Sequence, residues 1–244
     1  MDFQTLVDTD AVGIKIEHDE AVMMLGSCFA EDVGNLLKRS MLALCINPFG
    51  TLYNPRSIAQ SLRRLMADLP FSADELVAYG NLWHSMSHHS RFSSVDKDRA
   101  LQKINAAYAE GVACLRSARH LIVTFGTAYT FSTADGETVA NCHKMPASMF
   151  NRRMLSANEI ADEWIPLIDD IRKFNPHIDI TFTVSPVRHL ADGAHGNQLS
   201  KSTLLLASDS IMAQRPGVCH YFPSYEIILD QLRDYRFFAA DMVH

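Results

Sequence analysis

No apolar run in this 244-residue chain approaches the length of a transmembrane helix, so a membrane-spanning protein is not expected. The N-terminus, Met1-Asp2-Phe3-Gln4, lacks the basic-then-apolar pattern of a secretory signal, and a cytoplasmic location is the default. Positive charge is not in excess either. There are 22 Lys and Arg against 28 Asp and Glu, a formal net charge of -6. Binding to nucleic-acid phosphates needs a basic face, so a nucleic-acid partner is not expected. The short pairs Arg63-Arg64 and Arg152-Arg153 read as solvated helix faces or local ion pairs. Paired cysteines are missing too: Cys28, Cys45, Cys114, Cys142 and Cys219 are an odd number without paired spacing, which fits reduced thiols rather than a disulfide framework. Internal repeats, low-complexity tracts and clear linkers are absent. What remains is an ordinary globular composition, 48% hydrophobic and 20% charged, in a length that suits a single α/β domain over 1–244.

Short apolar, β-rich runs alternate with amphipathic stretches, the pattern of a parallel sheet with helices on both faces. The candidate strands are 21–25, 41–46, 120–125, 178–184 and 218–221. After the first strand, Phe29, Val33, Leu36 and Leu37 recur at helical spacing. Asn54-Pro55 reads as an N-cap followed by proline at the first helical position. Residues 98–118 form the longest periodic segment, and Ser156-Ala157-Asn158-Glu159 has capping-box spacing. That last helix runs to about 174 and holds Pro166, so a kink or two shorter pieces are expected there. A final helix is expected over 201–214. Residues 71–94 are polar, aromatic and histidine-rich and read as an insertion over one edge of the sheet. Asp135-Gly136 within 128–140 signals a β-hairpin.

Ligands collect at the carboxyl ends of the strands in such folds, and the loops there are rich in Gly, Asn, Ser and His. The first carries Gly26-Ser27-Cys28, where a nucleophile would sit beside unpaired helix N-terminal amides. Ser27 is the preferred nucleophile, and its plain alternative is an N-cap. Cys28 is the rival, since a thiol at a helix N-terminus ionises more readily. The chain's last residues, Asp241-Met242-Val243-His244, supply an imidazole as general base and a carboxylate to orient it. Backbone amides of Ser27 and Gly50, and the side chain of Asn141, are candidate oxyanion donors. Thr127, His143, Arg188 and His189 are candidate substrate contacts. His84, His88 and His89 would have metal-compatible spacing on a helix but form no recognisable metal motif, and a polar surface loop rather than a metal site is expected there.

Gly26-Ser27-Cys28-Phe29-Ala30 resembles the signature of the GSCFA-domain family. The resemblance continues through Asn47-Pro48-Phe49-Gly50, Asn141-Cys142-His143-Lys144, Ser185-Pro186-Val187-Arg188-His189 and Arg233-Asp234-Tyr235-Arg236-Phe237. That family is similar to the SGNH (GDSL-like) hydrolases. The resemblance implies a three-layer α/β/α fold with a central, mostly parallel sheet, an early serine nucleophile and a late Asp-x-x-His. It also implies an ester hydrolase without metal or organic cofactor, acting through an acyl-enzyme on an O-acylated carbohydrate or another small acyl ester. An acyltransferase using the same triad, or an inactive ligand-binding member of the fold, are the alternatives. The superfamily's first block reads Gly-Asp-Ser, so aligning the glycines puts Cys28 in the serine position. Gly126-Thr127-Ala128-Tyr129 lacks the superfamily's oxyanion Asn, whose role is vacant or moves to Asn141 or His143. The family continues past its Asp-x-x-His, so a truncated C-terminus is expected here.

Overall fold

The computed structural model describes residues 4–9 and 13–243. In chain order its elements are β1 (Ala21–Gly26), α1 (Cys28–Arg39), β2 (Ala43–Ile46), α2 (Pro55–Ala67), β3 (Leu76–Tyr79), β4 (Leu82–Ser85), α3 (Lys97–Ser117) and β5 (His120–Phe125). They continue with β6 (Tyr129–Ser132), β7 (Thr138–Val139), β8 (Asn151–Met154), α4 (Ala157–Phe174), β9 (Asp179–Val184), α5 (Gly193–Gln214), β10 (Cys219–Tyr221) and the short α6 (Ser224–Glu226).

The central sheet has the order β10-β9-β5-β1-β2 and every pairing in it is parallel. The chain leaves β1 toward β2 and then crosses back to β5, so the direction of winding reverses between β1 and β5. Such a reversal opens a crevice at the carboxyl ends of the two strands. Alternate residues of each strand face opposite layers. On one face Met23, Leu25, Val123, Phe125, Phe182 and Val184 are buried under α2, α3, α4 and α5. Phe125, Trp164 and Phe182 meet there with ring centroids 5.2–5.5 Å apart. The other face carries Met24, Ile122, Thr124, Thr181 and Thr183 and is covered by α1, with α6 beside β9. The result is the expected three-layer α/β/α fold.

Local chemistry explains the helix starts. Asn54 accepts the Ser57 N–H at 2.9 Å ahead of Pro55, an N-cap that contributes about 1 kcal/mol. Ser156 and Glu159 form a reciprocal capping box. Two helices depart from expectation. α4 passes through Pro166 as one unbroken helix, because Ile160, Trp164, Leu167, Ile168 and Ile171 are buried on both sides of the proline. Packing there outweighs one missing N–H. α5 starts at Gly193 rather than at 201, extending through a glycine-containing polar run that Ser200 and Lys201 anchor in the interior.

Residues 71–94 form the β3–β4 hairpin with Phe71, His84, His88 and Phe92 buried, so the expectation of a polar surface loop for the histidines is corrected. The His88 ring stacks on Phe49 at 4.7 Å and meets Phe71 edge-on, which makes a flat neutral base good packing material. β6, β7 and β8 form a separate antiparallel sheet around the expected hairpin. Among the described residues, no helix is long and apolar enough to cross a membrane.

Candidate active site at the carboxyl ends of the strands

The turn after β1 is shaped by Gly26. Its φ is +144°, and a Cβ there would lie 2.2 Å from the Thr124 carbonyl oxygen, so only glycine fits. Gly26 N–H donates to Asn47 Oδ1 at 2.8 Å, and Ser27 N–H donates to Thr124 O at 3.3 Å. Ser27 then occupies the N-cap of α1 in extended backbone, yet its side chain makes no capping bond. The first-turn amides stay uncapped as a result.

Ser27 and Cys28 differ sharply in access. Ser27 is 1% exposed, and its Oγ has no hydrogen-bond partner among the described residues. Cys28 is half-buried and lines a cavity of about 640 Å³. Burial pushes the Cys28 thiol up and the charge of Asp32 adds to this, while the Phe29 and Cys28 backbone N–H groups and, least of all, the charge of Lys201 act the other way. The thiol thus lies at the positive end of a helix, in partial shelter from water.

The cavity gathers residues from the ends of four parallel strands. Cys28 follows β1, Tyr53 and Asn54 follow β2, Thr127 follows β5, and Val187, Arg188 and His189 follow β9. Tyr129, Phe131 and Arg152 of the small sheet close one side. Backbone bonds hold the loops together: Leu52 N–H donates to Gly26 O, and Gly126 and Thr127 N–H both donate to Tyr53 O. Arg152 pairs with Asp192, and its guanidinium lies 3.7 Å over the Tyr129 ring. Arg188 has no carboxylate partner among the described residues; it packs 4.7 Å over Phe238 and 5.3 Å over Tyr235. Burial, with help from nearby Lys201, pushes His189 down to about 4, so its ring is neutral at neutral pH.

Three of the four candidate substrate contacts, Thr127, Arg188 and His189, are on the cavity wall. His143 is not: it is buried under the hairpin, with Nε2 2.8 Å from Ser85 O and its ring 4.4 Å from that of His84. The oxyanion candidates already have partners within the chain. Gly50 N–H donates to Asn47 O at 2.7 Å, and Ser27 N–H is taken by Thr124, so neither amide is free. Asn141 Oδ1 accepts the His143 N–H at 2.8 Å, and Asn141 is absent from the cavity wall. At the other end of the chain, Asp241 accepts the Val243 N–H at 2.9 Å and Val243 lines the cavity. His244, the expected base, lies outside the described residues. Among the described residues, no three His, Cys, Asp or Glu side chains converge in a way that could hold a metal ion.

Residues 21–244 match the model of the GSCFA family over the elbow, the strand-end loops and the C-terminal segment. The chain belongs to the GSCFA family. No curated protein matches this GSCFA chain. Among solved structures, it is similar to an acetyl xylan esterase from the rumen bacterium Butyrivibrio proteoclasticus, with 11% sequence identity and a TM-score of 0.34. The alignment covers 86% of the GSCFA chain and 56% of that protein, so the chain spans little more than half of its length.

Sequence reasoning overlooked Tyr53, Tyr129, Phe131 and Arg152 on the cavity wall, and one residue behind it. Lys201 is fully buried behind the cavity, and its Nζ donates to Gly126 O and Ser185 O, each at 2.6 Å. A signal existed. Lys201 falls on the same buried stripe of α5 as Leu204, Ser208 and Ile211, where a lysine is out of place.

Proposed function

We propose that this protein is an ester hydrolase that works through an acyl-enzyme carried on Cys28. The supporting observation is the contrast at the elbow: Cys28 is on the wall of the switch-point cavity, whereas Ser27 is covered. Aligning the glycines of the GSCFA and SGNH elbows leads to the same residue. In this reading the Cys28 thiolate attacks the acyl carbonyl carbon, and a C–S bond forms. The oxyanion of the tetrahedral intermediate is held by the uncapped amides of the first turn of α1. The alcohol leaves with a proton from an imidazolium, and water then hydrolyses the thioester to release the acid.

The base role stays with His244, oriented by Asp241, because Val243 beside them reaches the cavity. His189 is a second reading for the base. It shares the wall with Cys28, and its ring is neutral and able to accept a proton. For the substrate, Tyr53, Tyr129 and Phe131 offer ring faces, and Arg152 and Arg188 offer planar donors. That lining suits an O-acylated sugar or another small acyl ester.

Hydrolysis of p-nitrophenyl acetate tests the reading. Cys28→Ala is expected to lower kcat/KM by about 1,000-fold or more, and Ser27→Ala to change it by less than about threefold. Loss in Ser27→Ala with full activity in Cys28→Ala would return the role to the hydroxyl. Comparing His244→Ala with His189→Ala identifies the base by the larger loss.

A further inference from the structure

The cavity wall carries Arg152, Arg188 and Asp192, so one of its charges is left without an opposite. Arg152 pairs with Asp192 and is held over the Tyr129 ring, and those two charges cancel within the wall. Arg188 is half-buried on the same wall, and among the described residues it has neither a carboxylate nor a hydrogen-bond acceptor. What it touches are ring faces: its guanidinium carbon lies 4.7 Å from the Phe238 centroid and 5.3 Å from that of Tyr235. A π face offsets part of a cation's charge but supplies no oxygen for the N–H groups in the guanidinium plane. Elsewhere on the wall, Asn54 caps α2, and Thr127 Oγ1 is bonded to Ser200 Oγ and the Tyr129 N–H. The Tyr53 and Tyr129 hydroxyls, like Arg188, have no hydrogen-bond partner among the described residues.

We propose that Arg188 recognises a carboxylate on the substrate, so that the ester taken by this cavity is an acidic one. This rests on the reading of the cavity as the site of ester hydrolysis and adds the substrate's charge to it. A carboxylate is planar and accepts two parallel N–H bonds from one guanidinium, the pairing that Arg188 lacks within the chain. A phosphate monoester carries close to two negative charges and calls for a second cation, whereas Arg152 is already engaged by Asp192. Tyr235 and Phe238 hold the guanidinium in place beforehand, which lowers the ordering cost that a long side chain otherwise brings to binding. On the same wall, the rings of Tyr53, Tyr129 and Phe131 and the two unpartnered phenol hydroxyls suit an uncharged, hydroxyl-bearing remainder. The carboxylate belongs either to the acyl part or to the alcohol, and both present the same chemistry to Arg188.

Paired esters separate the two sources. Phenyl hydrogen adipate and phenyl hexanoate differ by a carboxylate on the acyl side, and 4-acetoxybenzoate and p-tolyl acetate differ by one on the alcohol side. The readout is the acidic-to-neutral ratio of kcat/KM within each pair. Arg188→Met keeps apolar contact with the two rings and removes the charge and the N–H groups. It is expected to lower the ratio about tenfold in one pair, and that pair locates the carboxylate. Arg188→Lys is expected to recover only part of the ratio, because an ammonium cannot form the fork. Equal ratios in the parent chain and Arg188→Met for both pairs would overturn the proposal. A second measurement needs no turnover. The Arg188 Nε–H signal in proton–nitrogen-15 NMR of the parent chain, assigned by its loss in Arg188→Lys, is expected to move on addition of adipate or 4-hydroxybenzoate and to stay in place with p-cresol. No movement with either carboxylate, or movement with inorganic phosphate alone, would overturn the proposal equally. Absence of turnover for every ester, alongside that movement, would sink the proposed function and leave the carboxylate site standing.

Discussion

His88 lies under the β3–β4 hairpin with its ring stacked on Phe49 and edge-on to Phe71 and Phe92. Lys201 lies behind the cavity with its amine between two carbonyl oxygens. Burial disfavours the charged form of each, pushing His88 down to about 3 and Lys201 down to about 7. The consequences diverge because the side chains differ in shape. A neutral imidazole is a flat ring that packs like a small aromatic, so losing its charge leaves His88 a good core residue. A neutral amine at the end of an alkyl chain packs no better than a methyl group would. At Lys201 the attribute that a plain hydrophobe lacks is the pair of N–H donors that tie the loops after β5 and β9 together. The comparison teaches that burial of a base is informative only together with what surrounds it.

The largest effect expected from breaking this comparison is on turnover. Lys201→Met, which removes both ties between the strand-end loops, should lower kcat/KM for aryl esters about tenfold or more, while His88→Phe should hold it within about twofold. Equal losses in the two variants would erase the distinction. Next in size is a dependence of stability on alkaline pH. The unfolded chain keeps the lysine proton up to about 10.5, whereas the folded chain releases it near 7. Between those values the unfolded state binds more protons, so raising the pH favours folding, by at most about 1.4 kcal/mol per unit. Urea midpoints of the parent chain minus those of Lys201→Gln should rise over this window.

On the acid side the sign is the same and the group is His88. As the pH falls from 6.5 toward about 3, the unfolded chain takes up a proton that the folded chain refuses, and stability drops. His88→Phe should flatten that limb, and an unchanged acid limb would show that the ring is not the group responsible. Smallest is Ser85→Ala, which removes the 2.8 Å bond between Ser85 Oγ and His88 Nδ1 and should cost about 1 kcal/mol in chemical denaturation.

The parallel sheet was legible because each strand is a short apolar run followed by turn residues, and the runs at 21–25 and 120–125 fall on β1 and β5 almost residue for residue. The cavity was legible in outline, since Thr127, Arg188 and His189 were read from the loops that follow strands. The choice between Ser27 and Cys28 was not. A turn allows either neighbour to face out, and the difference in their access is visible only once the turn is folded. The histidines of 71–94 were misread for a related reason: periodicity cannot show that Phe49, Phe71 and Phe92 come together around His88. Lys201 was hidden by its charge, which argues for solvent until its position on the stripe of α5 is counted.

The Tyr53 carbonyl accepts two amides from the β5 turn, while the Tyr53 ring forms part of the cavity wall. The loops after β2 and β5 are in effect riveted through one oxygen atom. Widening the crevice at that seam means breaking both bonds together, so the mouth resists being pried apart by an oversized guest. Selection among guests then falls to their own bending, and stiff, bulky molecules should be turned away by shape.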